Sequence, residues 1–231
     1  MNSKIITFSF DDGIEDDFKL VEILNKYNLK ATFNLNSAKL TGASTWVYNN
    51  VKTVKQINYF QMNNIYEGHE IASHGYSHQF MEKLDSKTLN NEILLDRKLL
   101  SYLFECEVKG FAYPYGTYST EVIDALRDNG IKYARTVKST YSFNPPENVL
   151  ELNPTCHFKY SKLNELADSF LNMTTDTIQI FYVWGHSYEL VTPDDWNYFE
   201  EFCKKVSGKS DIKYLTNIEA IDFINATESD L

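Results

Sequence analysis

Two short stretches hold residues that could do chemistry together. Residues 6–13, "ITFSFDDG", are an apolar, alternating run that ends in Asp11 and Asp12. Adjacent carboxylates repel each other and leave water poorly, so a positive group must offset the pair. Further along, "SHGYSH" carries His74 and His78. On one helical turn, imidazoles at i and i+4 project to the same side and can chelate one metal. A carboxylate from another strand would complete a set of two histidines and one acid, leaving positions open for water and substrate. Taken alone, HxxxH reads equally as a surface pair. The acid pair ending a separate strand shifts the reading towards a metal.

These residues must be positioned by the elements around them. Residues 5–10 read as a strand, and residues 16–27 as a helix with acids in its first turn. Residues 30–35 are a second strand. Residues 36–50 read as a long loop, 53–62 as a helix and 70–72 as a short strand. A helix over 87–104 is capped by Ser86, the strand at 110–113 runs into Pro114-Tyr115-Gly116, and the helix at 119–129 stops at Gly130. Strand 132–137, the extended segment 148–158, helix 163–172 and the apolar strand 177–185 follow. A helix from Asp194 (its cap) to Val206, a strand at 213–215 and a helix from Asn217 complete the chain. Strand and helix alternate about seven times without a linker. This pattern predicts a mostly parallel sheet wrapped by helices in one domain, residues 1–231. The expected fold is α/β, a (β/α) barrel with fewer or less regular units than eight. No Gly-rich loop or P-loop follows the first strand, which disfavours an open nucleotide-binding sheet.

In such barrels chemistry sits where strands end. Asp11, Asp12, His74, His78, Tyr115, His157 and His186 all fall at predicted strand ends, whereas His69 precedes a strand and reads as support. Net charge −10 argues against nucleic-acid binding and against docking on an anionic membrane. Cys106, Cys156 and Cys203 form no CxxC pair, so packing is the expectation for all three. The N-terminus lacks a basic and apolar leader pattern, so the chain reads as cytoplasmic as it stands, or secreted if an export signal is missing from this sequence.

"FSFDDG" with "GHEIASHGYSH", "FAYPYG" and "WGH" resembles the polysaccharide deacetylases, the NodB-homology or carbohydrate esterase family 4 enzymes. The resemblance runs from about Ile5 to His186. It implies a distorted (β/α) barrel and a metal-dependent deacetylase acting on N-acetylated amino sugars. It also implies that Asp12, His74 and His78 hold one divalent ion, zinc ahead of cobalt, nickel, iron or manganese. Asp11 would be the general base, the Tyr115 backbone N–H would hold the oxyanion, and His186 would be the general acid. The metal would lower the pKa of its water from about 16 towards about 7.

The chain departs from the family pattern twice. Ala112 stands where many members carry an arginine beside the base, and "GIKYARTVKST" offers Lys138 rather than the aspartate that orients the acid histidine. Arg135, on a strand near the second gap, is the expected positive partner for Asp11; Arg97 and Arg127 read as solvated helix residues. The roles of His157 and Lys138 stay open. Sugars stack on rings, so Tyr115, Trp184 and Tyr113 are substrate-binding candidates, with Trp46, Tyr76, Tyr118 and Tyr141 behind them. Two other readings remain: an amide or O-acetyl ester hydrolase on another substrate, and a non-catalytic carbohydrate-binding relative.

Overall fold

Strand β1 (Ser3–Asp11) is buried along its whole length, as the centre of a parallel sheet must be. Its side chains alternate between two cores. Ile6, Phe8 and Phe10 face outward to the helices, and Ile5 faces the barrel interior. The computed structural model describes residues 3–61 and 64–229. After β1 come α1 (Asp17–Lys26), β2 (Ala31–Leu35), β3 (Thr45–Tyr48), β4 (Lys52–Lys55), β5 (Glu70–Ser73), α2 (Ser86–Leu103), β6 (Gly110–Ala112) and α3 (Thr120–Asp128). The second half is β7 (Tyr133–Arg135), β8 (Cys156–His157), α4 (Leu163–Asn172), β9 (Ile178–Gly185), α5 (Pro193–Val206), β10 (Ile212–Tyr214) and α6 (Asn217–Ser229).

The main sheet runs β7-β6-β5-β2-β1-β9-β8, with β10 also on β1, and its pairings are parallel. β9 takes one edge of β1. The other edge is shared: Lys4–Ile6 pair with β10 and Phe8–Asp11 with β2. The extended segment after β7 then closes the ring. Leu152 bridges to Arg135, while Cys156 and His157 pair with β9. The result is a curled, distorted (β/α) barrel.

Outside it, Phe8, Phe10 and Phe33 pack among Leu20, Phe199 and Phe202, each buried ring contributing roughly 1.5–3 kcal/mol. A second core lies among Phe111, Ile93, Val122 and Leu126, from β6, α2 and α3. Inside the barrel, Ile5, Ile178, Ile180 and Tyr182 are stoppered by Ile221 and Ile224 of α6.

Several local expectations are corrected. Residues 45–55 are not loop and helix but the antiparallel hairpin β3–β4, turning at Asn49 and Asn50 with φ 47° and 58°. Two asparagines that tolerate positive φ between β-branched and aromatic runs make that turn. Met62, the expected helix end, lies outside the described residues. The α2 cap is Asp85, which accepts the Lys87 and Thr88 N–H groups, and the α5 cap is Thr192 in a capping box with Asp195. Arg97 is not merely solvated; it donates to the Val108 and Asn129 carbonyls and ties α2 to the end of α3. Cys106 is exposed, while Cys156 and Cys203 are buried.

The barrel floor is tight at Gly110, which faces Tyr133 across β6–β7. A Cβ there would overlap the Tyr133 ring, whose hydroxyl donates to Glu70 at 2.8 Å. Burial raises Glu70 to about 7, against the hydrogen bonds it accepts. Gly110→Ala is therefore expected to lower stability by about 1–3 kcal/mol, read as a falling urea midpoint.

Candidate active site

Asp11 closes β1, Asn34 lies opposite it near the end of β2, and His74 follows β5. Arg135 closes β7 and His186 follows β9. All five therefore gather at one mouth of the barrel, the C-terminal ends of its strands.

Asp11 is buried, at 2% exposed, and is held from two sides. Arg135 Nη2 reaches both of its oxygens, 2.6 Å from Oδ1 and 2.5 Å from Oδ2. Asn34 Nδ2 donates to Oδ1 at 2.8 Å. Arg135 is itself buried, and its guanidinium lies 4.5 Å from the centroid of the Trp184 ring. Burial pushes the Asp11 carboxyl upward. The Arg135 guanidinium, with His74 and His186, overrides that and holds it well below the usual carboxylate range. Ala112 and Arg135 are register partners across β6–β7. The guanidinium thus reaches Asp11 from the strand beside the one where the family resemblance places an arginine.

Asp12, His74 and His78 offer ligand atoms within 4.8 Å of one another. Asp12 Oδ1 is 3.9 Å from His74 Nε2 and 3.6 Å from His78 Nε2. His74 Nδ1 lies 2.8 Å from the Ala112 carbonyl, which can only accept, so Nδ1 carries the proton and Nε2 keeps its lone pair for the site. Burial lowers the pKa of His74, and burial then His74 lower that of His78 to about 4. Neutral imidazoles beside a carboxylate are the donor set that a divalent cation requires, so these residues fit one.

The histidine spacing works differently from the expectation. Residues 74–78 are a loop, not a helical turn, and the reversal uses φ 74° at Gly75 and 61° at His78. Buried polar groups hold that loop. Asn36 Nδ2 donates to the His74 and Gly75 carbonyls, and Glu92 accepts from the Ser77 N–H and hydroxyl. Asp96 on α2 accepts from Ser37 and Ser73. Asp12 (φ 82°) and Tyr115 (φ 59°) also sit in left-handed backbone. Such positions cost roughly 1–3 kcal/mol each and gather at functional sites.

His186 Nε2 and His74 Nε2 flank Asp11 Oδ2 at 3.7 and 3.9 Å. Burial lowers His186, but Glu189 and then Asp11 and Asp12 outweigh it and raise it to about 9. Glu189 was not foreseen; its only sequence signal is a carboxylate three residues after the histidine.

The ring assignments divide. Tyr115 is 52% exposed, stacked on Phe80 at 3.8 Å and edge-on to His78. Tyr113 is 1% exposed, and its hydroxyl donates to the Leu150 carbonyl, so it is a core residue and lines no subsite. Trp184 is buried, and one of its faces is taken by Arg135. Tyr188 packs on His186 and meets Trp46 and Tyr48 of the hairpin. Lys138 lies exposed, its N–H on Thr136. His69 accepts the Ala31 N–H, in line with structural support.

Comparison with known proteins adds the family. The polysaccharide deacetylase model matches residues 1–134. The chain belongs to the polysaccharide deacetylase family. A peptidoglycan-N-acetylglucosamine deacetylase of Bacillus cereus is 31% identical over 117 residues, 50% of this chain and 38% of that protein. The chain aligns with 17% to 38% of the length of the curated relatives it matches. A candidate polysaccharide deacetylase from Mycobacterium smegmatis superposes with TM-score 0.69 at 17% identity, over 98% of this chain and 92% of the other. The peptidoglycan deacetylase PdaC of Bacillus subtilis superposes with TM-score 0.60 at 16% identity, over 99% and 95%. At those identities the likeness is one of fold. Among the described residues, no helix is long and apolar enough to cross a membrane.

Proposed function

We propose that this family member is a metal-dependent hydrolase that removes acetyl groups from N-acetylated amino sugars in poly- or oligosaccharides. The observation that carries the reading is the convergence of a cation-type donor set, an ionised carboxylate and a histidine raised to about 9 at one barrel mouth. Asp12, His74 and His78 would hold the divalent ion, with zinc the best match to two imidazoles and a carboxylate. When bound, the ion supplies Lewis acidity for the acetyl carbonyl and for water.

The chain's own residues do the rest. Asp11, ionised and fixed by Arg135 and Asn34, takes a proton from the attacking water. His186, raised to about 9 and so protonated near neutrality, gives a proton to the amine, which leaves poorly without one. The Tyr115 backbone N–H is the proposed oxyanion donor, and its exposed ring with Tyr188 and Trp46 offers faces for sugar. Products are acetate and a free amine.

The test is acetate release from chitooligosaccharide, peptidoglycan fragments and acetylated xylan, each profiled across zinc, cobalt, nickel, iron and manganese. Release from the N-acetylated substrates that chelator abolishes and metal restores is the expected result. Release from acetylated xylan alone would move the assignment to an O-acetyl esterase. Stoichiometric metal with no release from any of them would favour a carbohydrate-binding protein.

A further inference from the structure

Beside the site, His157 of β8, Glu189 and His186 form a run of contacts that neither the family resemblance nor the reading above assigns. His157 Nδ1 accepts the Lys159 N–H at 3.1 Å. That bond uses the Nδ1 lone pair, so Nε2 carries the ring proton, and it lies 2.8 Å from Glu189 Oε2. The same Glu189 oxygen accepts the His186 backbone N–H at 3.2 Å and faces His186 Nδ1 at 3.5 Å. Lys159 Nζ also donates to the Glu189 carbonyl at 3.1 Å. His157 stands edge-on to Trp184 and against Phe158, which sets its ring plane.

We propose that Glu189, held by His157, is the positioning residue that fixes His186 in its Nδ1–H tautomer and aims Nε2 at the reacting groups. His186 Nδ1 is buried with no hydrogen-bond partner among the described residues, and Glu189 Oε2 at 3.5 Å is the acceptor beside it. An ionised carboxylate only accepts, so the nitrogen that closes on it carries the proton. The other nitrogen, Nε2, then points towards Asp11 Oδ2. The bridging carboxylate comes from the turn that follows β9, and the barrel-closing segment brings His157 to it. The pair takes over the task of the aspartate that "GIKYARTVKST" does not supply. A second cation at these three residues fits less well. The Nδ1 lone pair of His157 is occupied, and 2.8 Å between Nε2 and Oε2 is hydrogen-bond spacing.

The proposal rests on His186 acting as the acid, so its test has a readout that needs no turnover. Histidine-labelled nitrogen NMR of the full chain, with His186 assigned by its loss in His186→Asn, reports the tautomer directly. Recorded above a pH of about 9, where the His186 ring is neutral and has a tautomer to report, the expected wild-type signal is Nδ1–H, giving way to a mixture in Glu189→Gln. Kinetically, Glu189→Gln is expected to lower kcat by about 10- to 100-fold while KM changes by less than about twofold. His157→Phe should follow it in the same direction. His157→Gln, whose amide can still donate to Glu189, should recover most of the rate. An Nε2–H tautomer in the wild type would overturn the proposal. So would a Glu189→Gln protein with unchanged spectrum and kcat. No turnover by the wild type on any substrate would overturn the deacetylase reading instead, and the tautomer signal would still decide the role of Glu189.

Discussion

Asp11→Asn is expected to lower kcat for acetate release by about 10²–10⁴-fold, the range that a positioned general base contributes. The substitution keeps the shape of the side chain and an acceptor for Arg135 and Asn34, but it removes the group that can take a proton. Cation binding by Asp12, His74 and His78 should survive, so metal content measured on the same sample separates a lost base from a lost site. The variant also leaves the guanidinium of Arg135 buried without its counter-charge. Stability should therefore fall as well, and rates need to be taken well below the melting temperature. A rate within about tenfold of wild type would remove Asp11 from the role of base, since that is less than such a group ordinarily supplies. With Arg135 in place the carboxyl is ionised throughout the working range. An acid limb in the wild-type pH profile would then come from some other group.

The main features of the fold were legible because they depend on local pattern. β1, β9 and the helices between strands follow from periodicity, and the placement of Asp11, Asp12, His74 and His186 follows from where those runs stop. The hairpin β3–β4 is hidden in the sequence because an Asn49-Asn50 turn has the same composition as a loop. The place of Tyr113 follows from the pleat rather than from its neighbourhood to the motif. It lies two residues beyond Phe111 and shares its outward core, while Ala112 between them faces the barrel. The partnership of Arg135 with Asp11 could be guessed from charge alone, since so few arginines are available. The reason it works is register between β6 and β7, which no local pattern carries. His157 and Glu189 lay further out of reach. They meet because Leu152–His157 closes the barrel, a contact between segments distant in sequence.

Arg135→Leu should show what the displaced arginine does, in both stability and pH dependence. Removing one member of a buried pair typically costs about 3–5 kcal/mol, because the other charge is left in a poor solvent. The two forms should also respond to pH with opposite sign. In the wild type the folded pKa of Asp11 lies below its unfolded value near about 3.9. The pair's contribution is thus fully present above that value and is lost as pH falls through the folded pKa. In Arg135→Leu, burial is left as the largest influence on Asp11, which favours the protonated form. The variant should then be most destabilised at neutral pH, and its deficit should shrink as pH falls towards about 4. Urea midpoints at several pH values measure this. In turnover, a base that must first lose its proton gives an acid limb displaced to higher pH, with part of the rate recovered in alkali. Identical pH profiles for the two proteins would mean that Arg135 is only a packing residue. The register adds a rescue. Ala112 and Arg135 are register partners across the parallel pair β6–β7, and neighbouring strands lie roughly 4.7–4.9 Å apart. Ala112→Arg combined with Arg135→Ala returns the guanidinium to the neighbouring strand within reach of the same carboxylate. Loss of the displaced acid limb and return of the wild-type pH profile in that double variant, and not in Arg135→Ala alone, would show that Asp11 requires a positive charge at this depth, and that either strand can supply it.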